Sequence, residues 1–194
     1  MTVALPPWGL AALGYALLSR LGYVGYVWHA LAKADRDPSG RGGGAFVRFR
    51  RRAALVMYHD GLSFVALCVL TRGTLDLPIP AAWRLAGGVL TLVGVAVKLW
   101  AARALGADGY YWRDFFEPGI RTGVVVAGPY RWFKNPMYTV GYLQTYGAAL
   151  ALGSLPGLVA AAFDQAAILA LYRSVERPHY DRLYGAGAAM GSPP

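Results

Sequence analysis

The sequence predicts an all-α protein, a polytopic membrane helical bundle with about five transmembrane helices. Hydrophobic residues make up 56% of the 194 residues and charged residues only 15%, whereas a soluble domain has about 25% charged residues. Mean hydropathy is +0.37, and the apolar residues are concentrated in long runs of the kind that cross a hydrocarbon core. The basic residues lie between these runs, which is typical of membrane proteins.

Five apolar runs are long enough, or nearly so, to span a bilayer. They cover residues 7–31, 53–71, 81–102, 136–152 and 156–172. Pro6 and Pro7 suit the start of the first helix, and Pro136 suits the first turn of the fourth, with Asn135 as its expected cap. Only three residues separate the last two runs, so those helices are expected to be antiparallel neighbours.

The charge distribution predicts the orientation in the membrane. Residues 32–52 contain seven basic residues, residues 103–135 contain five, and the tail after residue 172 contains three. Five spans place these three regions on one face, which the positive-inside rule makes cytoplasmic. The N-terminus is then outside and the C-terminus cytoplasmic, and the expected location is a bacterial inner membrane.

The net charge of +9 is better explained by anionic lipid than by nucleic acid, because the sequence contains no nucleic-acid recognition module. A metal site is not expected either. His59 is followed by no second histidine at a metal-binding spacing.

Among the ionisable residues inside the apolar runs, Arg20, Asp60 and Asp164 need an explanation. Charged groups are costly in lipid, so each is either paired or functional. We expect Arg20 to pair with Asp60 or Asp164 and to fix helix packing. The alternative is a non-enzymatic membrane protein or small transporter in which the two aspartates relay protons.

Candidate functional residues are concentrated in the last half of the chain, in three pieces. The first is ALGADGYYWRDFF at residues 104–116, whose glycines permit close approach of the backbone to a ligand. The second is GPYRWFKNPMY at residues 128–138, where aromatic rings and Arg131 suit a cationic or adenine-bearing ligand. The third is Glu176, for which a surface ion pair with Arg173 or Arg177 is the alternative.

These pieces resemble the integral-membrane phospholipid methyltransferases, in which ALGxxGxxxxDYF precedes NPMY and a glutamate pair follows the last span. The matching residues are Ala104, Leu105, Gly106, Gly109, Asp114, Phe116, Asn135, Pro136, Met137, Tyr138 and Glu176, and Ser154, Pro156, Gly157 and Leu158 resemble the family's hairpin. Val175 stands where the first glutamate is expected, so the role of that glutamate is either taken by Asp181 or lost. GPYRW at residues 128–132 is closer to the isoprenylcysteine carboxyl methyltransferases, which carry His at the position of Asn135.

The resemblance implies an S-adenosylmethionine-dependent methyltransferase with a cofactor site at the cytoplasmic face. The expected cofactor-binding residues are Gly106, Gly109, Tyr130, Arg131, Asn135, Pro136, Tyr138 and Glu176. The implied reaction methylates the amine of phosphatidylethanolamine and its methylated derivatives. The alternative acceptors are a prenylated cysteine carboxylate or a small thiol.

A substrate ammonium has no lone pair and must lose a proton before it can accept a methyl group. The candidate bases are Asp114, Glu117, Tyr111, Glu176 and His179, and an exposed tail histidine is the alternative for His179. Residues 1–103 are expected to form N-terminal transmembrane helices and a basic loop. Residues 104–194 are expected to form the catalytic core with the last two spans.

Overall fold

A computed structural model describes residues 5–37, 39, 41–76, 80–117 and 125–185. Within these residues the chain forms six α-helices, and the predicted all-helical membrane bundle is confirmed. Their bounds are α1 Pro7–Arg36, α2 Gly43–Leu70, α3 Pro80–Tyr110, α4 Leu143–Ala151, α5 Leu155–Leu171 and α6 Arg177–Tyr184. Short 3-10 segments lie at Arg113–Phe115, Gly128–Arg131 and Val140–Tyr142, and a π-helical turn at Tyr172–Glu176 joins α5 to α6.

Four helical stretches are long and apolar enough to cross a membrane: Pro7–Arg36, Gly43–Leu70, Pro80–Phe115 and Leu155–Tyr184. The fourth predicted run is different, because residues 136–152 contain an α-helix of only nine residues. Before it, the amides of Tyr138 and Thr139 both bond to the Asn135 carbonyl, and the Gly141 amide bonds to Pro136. Asn135 and Pro136 therefore form a turn and do not begin α4, and the predicted capping role of Asn135 is wrong.

The fourth run nevertheless carries the chain from one end of the bundle to the other. After α4, the carbonyls of Leu152 and Gly153 accept hydrogen bonds from Gly73 and Leu75, which follow α2. Ser154 caps α5 by accepting a bond from the Gly157 amide. A tight hairpin thus joins α4 and α5, as predicted for the last two apolar runs.

The predicted basic regions meet at the opposite end of the bundle. The Gly42 amide, just before α2, bonds to the carbonyl of Phe116, which follows α3. Phe49 of α2 stacks on Phe116 with ring centroids 4.7 Å apart. His179 of α6 bonds to Asp35 at the end of α1. One end of the molecule therefore gathers the segments between α1 and α2, after α3, and after α5.

Small residues allow α3 and α4 to pack with their backbones in close contact. A Cβ atom built on Gly94 would lie 2.2 Å from the Gln144 nitrogen, and one on Gly147 would lie 2.5 Å from the Thr91 nitrogen. Neither distance is compatible with a side chain. α4 is therefore held tightly against α3 even though it is short.

A charged cluster joins α1, α2 and α5 inside the bundle. The Arg20 Nη2 atom lies 2.7 Å from Asp60 and 3.0 Å from Asp164, and all three side chains are buried. The predicted pairing of Arg20 is confirmed, with both aspartates taking part. Each charge thereby has a partner away from lipid.

Candidate active site

A π-helical turn after α5 directs the Glu176 side chain into the interior of the protein. The regular face of α5 buries Asp164, Ile168 and Leu171. At about 100° per residue, an uninterrupted α-helix would place Glu176 about 140° away from Leu171. The wider turn Tyr172–Glu176 brings Glu176 back toward this face, where it is only 1% exposed. Single π turns occur frequently at functional sites.

Glu176 is held by two aromatic side chains from other elements. The Tyr138 hydroxyl donates to Glu176 Oε1 at 2.9 Å, and the Trp112 side chain hydrogen-bonds to the same carboxylate. Gln165 in turn fixes Tyr138 by donating to its carbonyl at 3.0 Å. The alternative of a surface ion pair for Glu176 is therefore wrong. Arg177 instead lies 3.6 Å from Asp181.

The segment after α3 has an irregular backbone that brings Trp112 to Glu176. Gly106 interrupts α3 with a φ of 71°, which glycine adopts without steric cost. Trp112 has a φ of 56°, which is uncommon for a non-glycine residue and typical of functional sites. Its side chain is nevertheless buried, so packing holds it in this conformation.

These elements enclose a pocket with about 590 Å³ of unfilled space, part of it open to solvent. Its lining includes Gly109, Tyr130, Asn135, Tyr138 and Glu176. All five were predicted as cofactor-binding residues from the sequence. They come from the end of α3, the segment 128–138 and the π turn, so tertiary packing brings together residues far apart in the chain.

Two polar groups in this pocket have no hydrogen-bond partner among the described residues. They are the Tyr130 hydroxyl and the Asn135 Nδ2 atom, both buried. An unpaired buried donor costs about 1–3 kcal/mol, so such groups are expected to bond to a ligand. The pocket thus offers free donors on one wall and a buried carboxylate on another.

Burial raises the pKa of Tyr130, and the nearby Glu176 carboxylate raises it further. Tyr130 therefore keeps its proton at neutral pH and acts as a hydrogen-bond donor.

Other predicted cofactor-binding residues lie outside the pocket lining. Arg131 is exposed, and Pro136 is buried in the turn before α4. Gly106 forms the kink in α3, with open space where a side chain would project. Direct contact of these three residues with a cofactor stays a prediction.

The candidate bases lie in three different environments. Tyr111 lines a separate groove beside α2, and Glu117 accepts from Arg113 Nη2 at 2.9 Å. Asp114 is buried beside His179 and Tyr180. His179 is 4% exposed, bonds through Nδ1 to Asp35 at 2.8 Å, and stacks on Phe115. The alternative of an exposed tail histidine is wrong.

Several lining residues were not singled out from the sequence, namely Lys98, Tyr110, Trp112, Tyr142 and Tyr180. Lys98 had a detectable signal, because it is a cation well inside the third apolar run. The tyrosines gave no such signal in the sequence, because aromatic residues at membrane helix ends are common. Within the described residues, no group of three or more His, Cys, Asp or Glu side chains could hold a metal ion.

Comparison with known proteins identifies relatives for most of the chain. Phosphatidylethanolamine N-methyltransferase from Saccharomyces cerevisiae (strain RM11-1a) is 30% identical over 151 residues, covering 74% of this chain and 16% of the relative. The enzymes of that name from Clavispora lusitaniae and Candida tropicalis are each 30% identical, over 148 and 146 residues. Each of these alignments covers 71% of this chain and 17% of the relative.

The chain thus spans about a sixth of the length of these curated relatives. No solved structure matches it. Residues 83–187 match the family described as phospholipid methyltransferase. This range begins within the first turn of α3, continues through α6 and includes every pocket residue named above. The chain therefore belongs to the phospholipid methyltransferase family.

Proposed function

We propose that this protein is an S-adenosylmethionine-dependent methyltransferase that methylates the amine of phosphatidylethanolamine and its methylated derivatives towards phosphatidylcholine. The observation that carries the proposal is the pocket at Glu176, whose lining combines a buried carboxylate with two buried donors that have no partner among the described residues. The names of the yeast relatives support the choice of substrate. We propose residues 104–194 as the catalytic core and residues 1–103 as the membrane helices and basic loop around it.

The pocket residues fit S-adenosylmethionine by the chemistry of their free groups. Tyr130 and Asn135 can donate to the acceptor atoms of its amino-acid and ribose parts, and Glu176 can accept from hydroxyl or ammonium donors. The aromatic rings of Trp112 and Tyr138 suit a sulfonium cation. When bound, the cofactor supplies an electrophilic methyl group, and the pocket residues orient it toward the acceptor nitrogen.

The substrate ammonium needs a proton acceptor near the pocket. Tyr180 lines the pocket, and Asp114 and His179 lie beside it. We propose that His179 receives this proton at Nε2, with Asp35 orienting its ring through Nδ1 and the Asp114 carboxylate stabilising the resulting imidazolium. A variant His179→Gln should then lower kcat and change the pH–rate profile while the dissociation constant for the cofactor stays unchanged.

The orientation follows from charge. The end of the bundle that gathers the basic segments is proposed to be cytoplasmic, with the N-terminus outside. The cofactor would then enter from the cytoplasm. The apolar outer faces of the long helices, with Leu62, Leu85 and Leu92 at 70–72% exposure, would contact lipid. A bacterial inner membrane stays a prediction.

The test is methyl transfer from labelled S-adenosylmethionine by the purified protein in liposomes that contain phosphatidylethanolamine, followed by separation of the lipids. We expect label in monomethyl, dimethyl and choline lipids, and clearly reduced transfer by Glu176→Gln at subsaturating cofactor. Cofactor binding without labelled lipid would instead favour a prenylated cysteine or a small thiol as acceptor. Absence of both binding and transfer would contradict the proposal.

A further inference from the structure

The pocket at Glu176 continues into a groove between α2 and α3. The backbones of these two helices lie apart, because α2 packs on α1 and α5 while α3 packs on α4. Side chains still bridge them, with the Tyr110 hydroxyl 3.4 Å from the Met57 sulfur and Arg50 3.8 Å from Asp108. The groove has about 1250 Å³ of unfilled space, part of it open to the surroundings. Its walls include Met57, Leu62 and Val95. Its opening lies between the apolar outer faces of two membrane-spanning helices.

Lys98 stands where the groove meets the pocket. Its side chain lines both, together with Tyr110 and Tyr142. The ammonium lies 5.2 Å from the centre of the Tyr142 ring, and none of the described carboxylates comes within 4.0 Å of it. A half-buried lysine inside an apolar helix without such a partner is a functional candidate.

The other cation of the groove is already paired. Arg20 contacts both Asp60 and Asp164 on the groove floor, so it has little capacity for an anionic ligand. This cluster carries one more carboxylate than guanidinium groups, and Glu176 adds another carboxylate in the pocket. The site therefore places the Lys98 ammonium close to an excess of acidic groups. Asp60 and Asp164 act on it electrostatically, although no described carboxylate lies within 4.0 Å of it.

This arrangement complements a zwitterionic headgroup. We infer that Lys98 binds the phosphate of the lipid substrate at the junction, with the acyl chains in the groove and the amine directed toward Glu176. The inference rests on the proposed function and adds the basis of substrate selection. A phosphodiester-linked amine satisfies both the cation and the carboxylates, whereas a phosphate-free amine leaves Lys98 unpaired.

The test compares four purified full-length proteins in vesicles of phosphatidylglycerol with increasing phosphatidylethanolamine: wild type, Lys98→Gln, Lys98→Arg and Arg103→Gln. Arg103→Gln is the matched control, because it removes one cation from an exposed position of the same helix. We expect Lys98→Gln to raise the apparent KM for the lipid roughly tenfold or more, as for loss of a charge-assisted hydrogen bond. Lys98→Arg should recover most of the loss seen in Lys98→Gln, because it keeps the charge, and the control Arg103→Gln should stay close to wild type.

An unchanged lipid KM in Lys98→Gln would overturn the inference while leaving the proposed function intact. If the wild type transfers no methyl group to phosphatidylethanolamine, the proposed function fails. In that case the role of Lys98 in lipid binding is tested separately, by measuring the thermal stabilisation that dihexanoyl phosphatidylethanolamine gives to each protein. Stabilisation of the wild type but not of Lys98→Gln supports the site, and equal stabilisation of both overturns it.

A second substrate keeps the inference testable if Lys98→Gln does not fold. Wild-type protein is given a diacyl lipid whose ethanolamine is joined through a neutral linkage. We expect a KM roughly tenfold higher than for phosphatidylethanolamine, because the phosphate contact is missing. Equal KM values for the two lipids would overturn the inference.

Discussion

Glu176 shows how one side chain can join the three motif pieces of the site. It contacts Tyr138 from the second piece and Trp112 from the first. Replacement by glutamine keeps the volume and removes the charge. We expect Glu176→Gln to weaken S-adenosylmethionine binding about tenfold or more, since hydrogen bonds to a charged group contribute about 1.5–3 kcal/mol. The measurement is titration calorimetry of the purified protein in detergent.

The control for this substitution is Glu117→Gln, which removes a carboxylate that pairs with Arg113 and does not line the pocket. It should bind the cofactor like wild type. Equal affinity of the Glu176 and Glu117 variants would show that the carboxylate in the pocket does not contact the cofactor.

A substitution at Asn135 is expected to affect cofactor binding without affecting folding. Its Nδ2 atom is buried without a partner among the described residues, so the side-chain amide contributes little to the folded state. We expect Asn135→Ala to change the free energy of unfolding by less than about 1 kcal/mol and to weaken cofactor binding clearly. Thermal unfolding in detergent, with and without cofactor, measures both effects. A large loss of stability without cofactor, or a normal stabilisation by cofactor, would contradict this assignment.

At the scale of elements, the contact between α3 and α4 fixes the position of residues 128–142, which form one wall of the pocket. A side chain at Gly94 would collide with the backbone of Gln144, which cannot move without displacing α4. We expect Gly94→Ala to destabilise the protein by about 1–3 kcal/mol, the usual cost of overpacking. Denaturation in detergent measures this loss.

Gly88→Ala is the matched control, because a Cβ at Gly88 meets nothing within 4 Å. Alanine has a higher helix propensity than glycine by about 1 kcal/mol, so this variant should be as stable as wild type or more stable. Equal destabilisation by both substitutions would indicate that helix packing is not the cause.

At the scale of the whole molecule, Arg20 joins three of the four long helices through Asp60 and Asp164. Removing the cation leaves two buried carboxylates close together without a partner. We expect Arg20→Met to reduce the folded yield strongly, because breaking a buried ion pair costs about 3–5 kcal/mol. The measurement is the fraction of monodisperse protein on size-exclusion chromatography in detergent.

His59→Gln is the control for this experiment, since His59 lies next to Asp60 but is exposed and bonds only to Tyr15 and Ser19 among the described residues. It should fold like wild type. Well-folded and active Arg20→Met protein would show that the cluster does not hold the bundle together. Folded but inactive protein would assign the cluster to the reaction.

The residues of the pocket could be predicted only where they belong to motifs. Gly109, Tyr130, Asn135, Tyr138 and Glu176 were found in this way, and all five line the pocket. Lys98 and Tyr142 were missed because they lie outside the motifs, and the residues that they meet in the pocket lie on other elements. His179 was judged by its place near the C-terminus, whereas Asp35 and Phe115 bury it.

Composition and periodicity determined the helical membrane class, the close hairpin between α4 and α5, and the gathering of basic segments at one end. These features depend on hydrophobicity and charge, which each residue carries regardless of its neighbours. Only the tertiary structure decided that α4 is short and that Glu176 faces inward. Both depend on local departures from regular α-helix, namely the turn at Asn135 and the π turn after α5. These irregular segments are stable because the packed neighbours bury them and form hydrogen bonds with them.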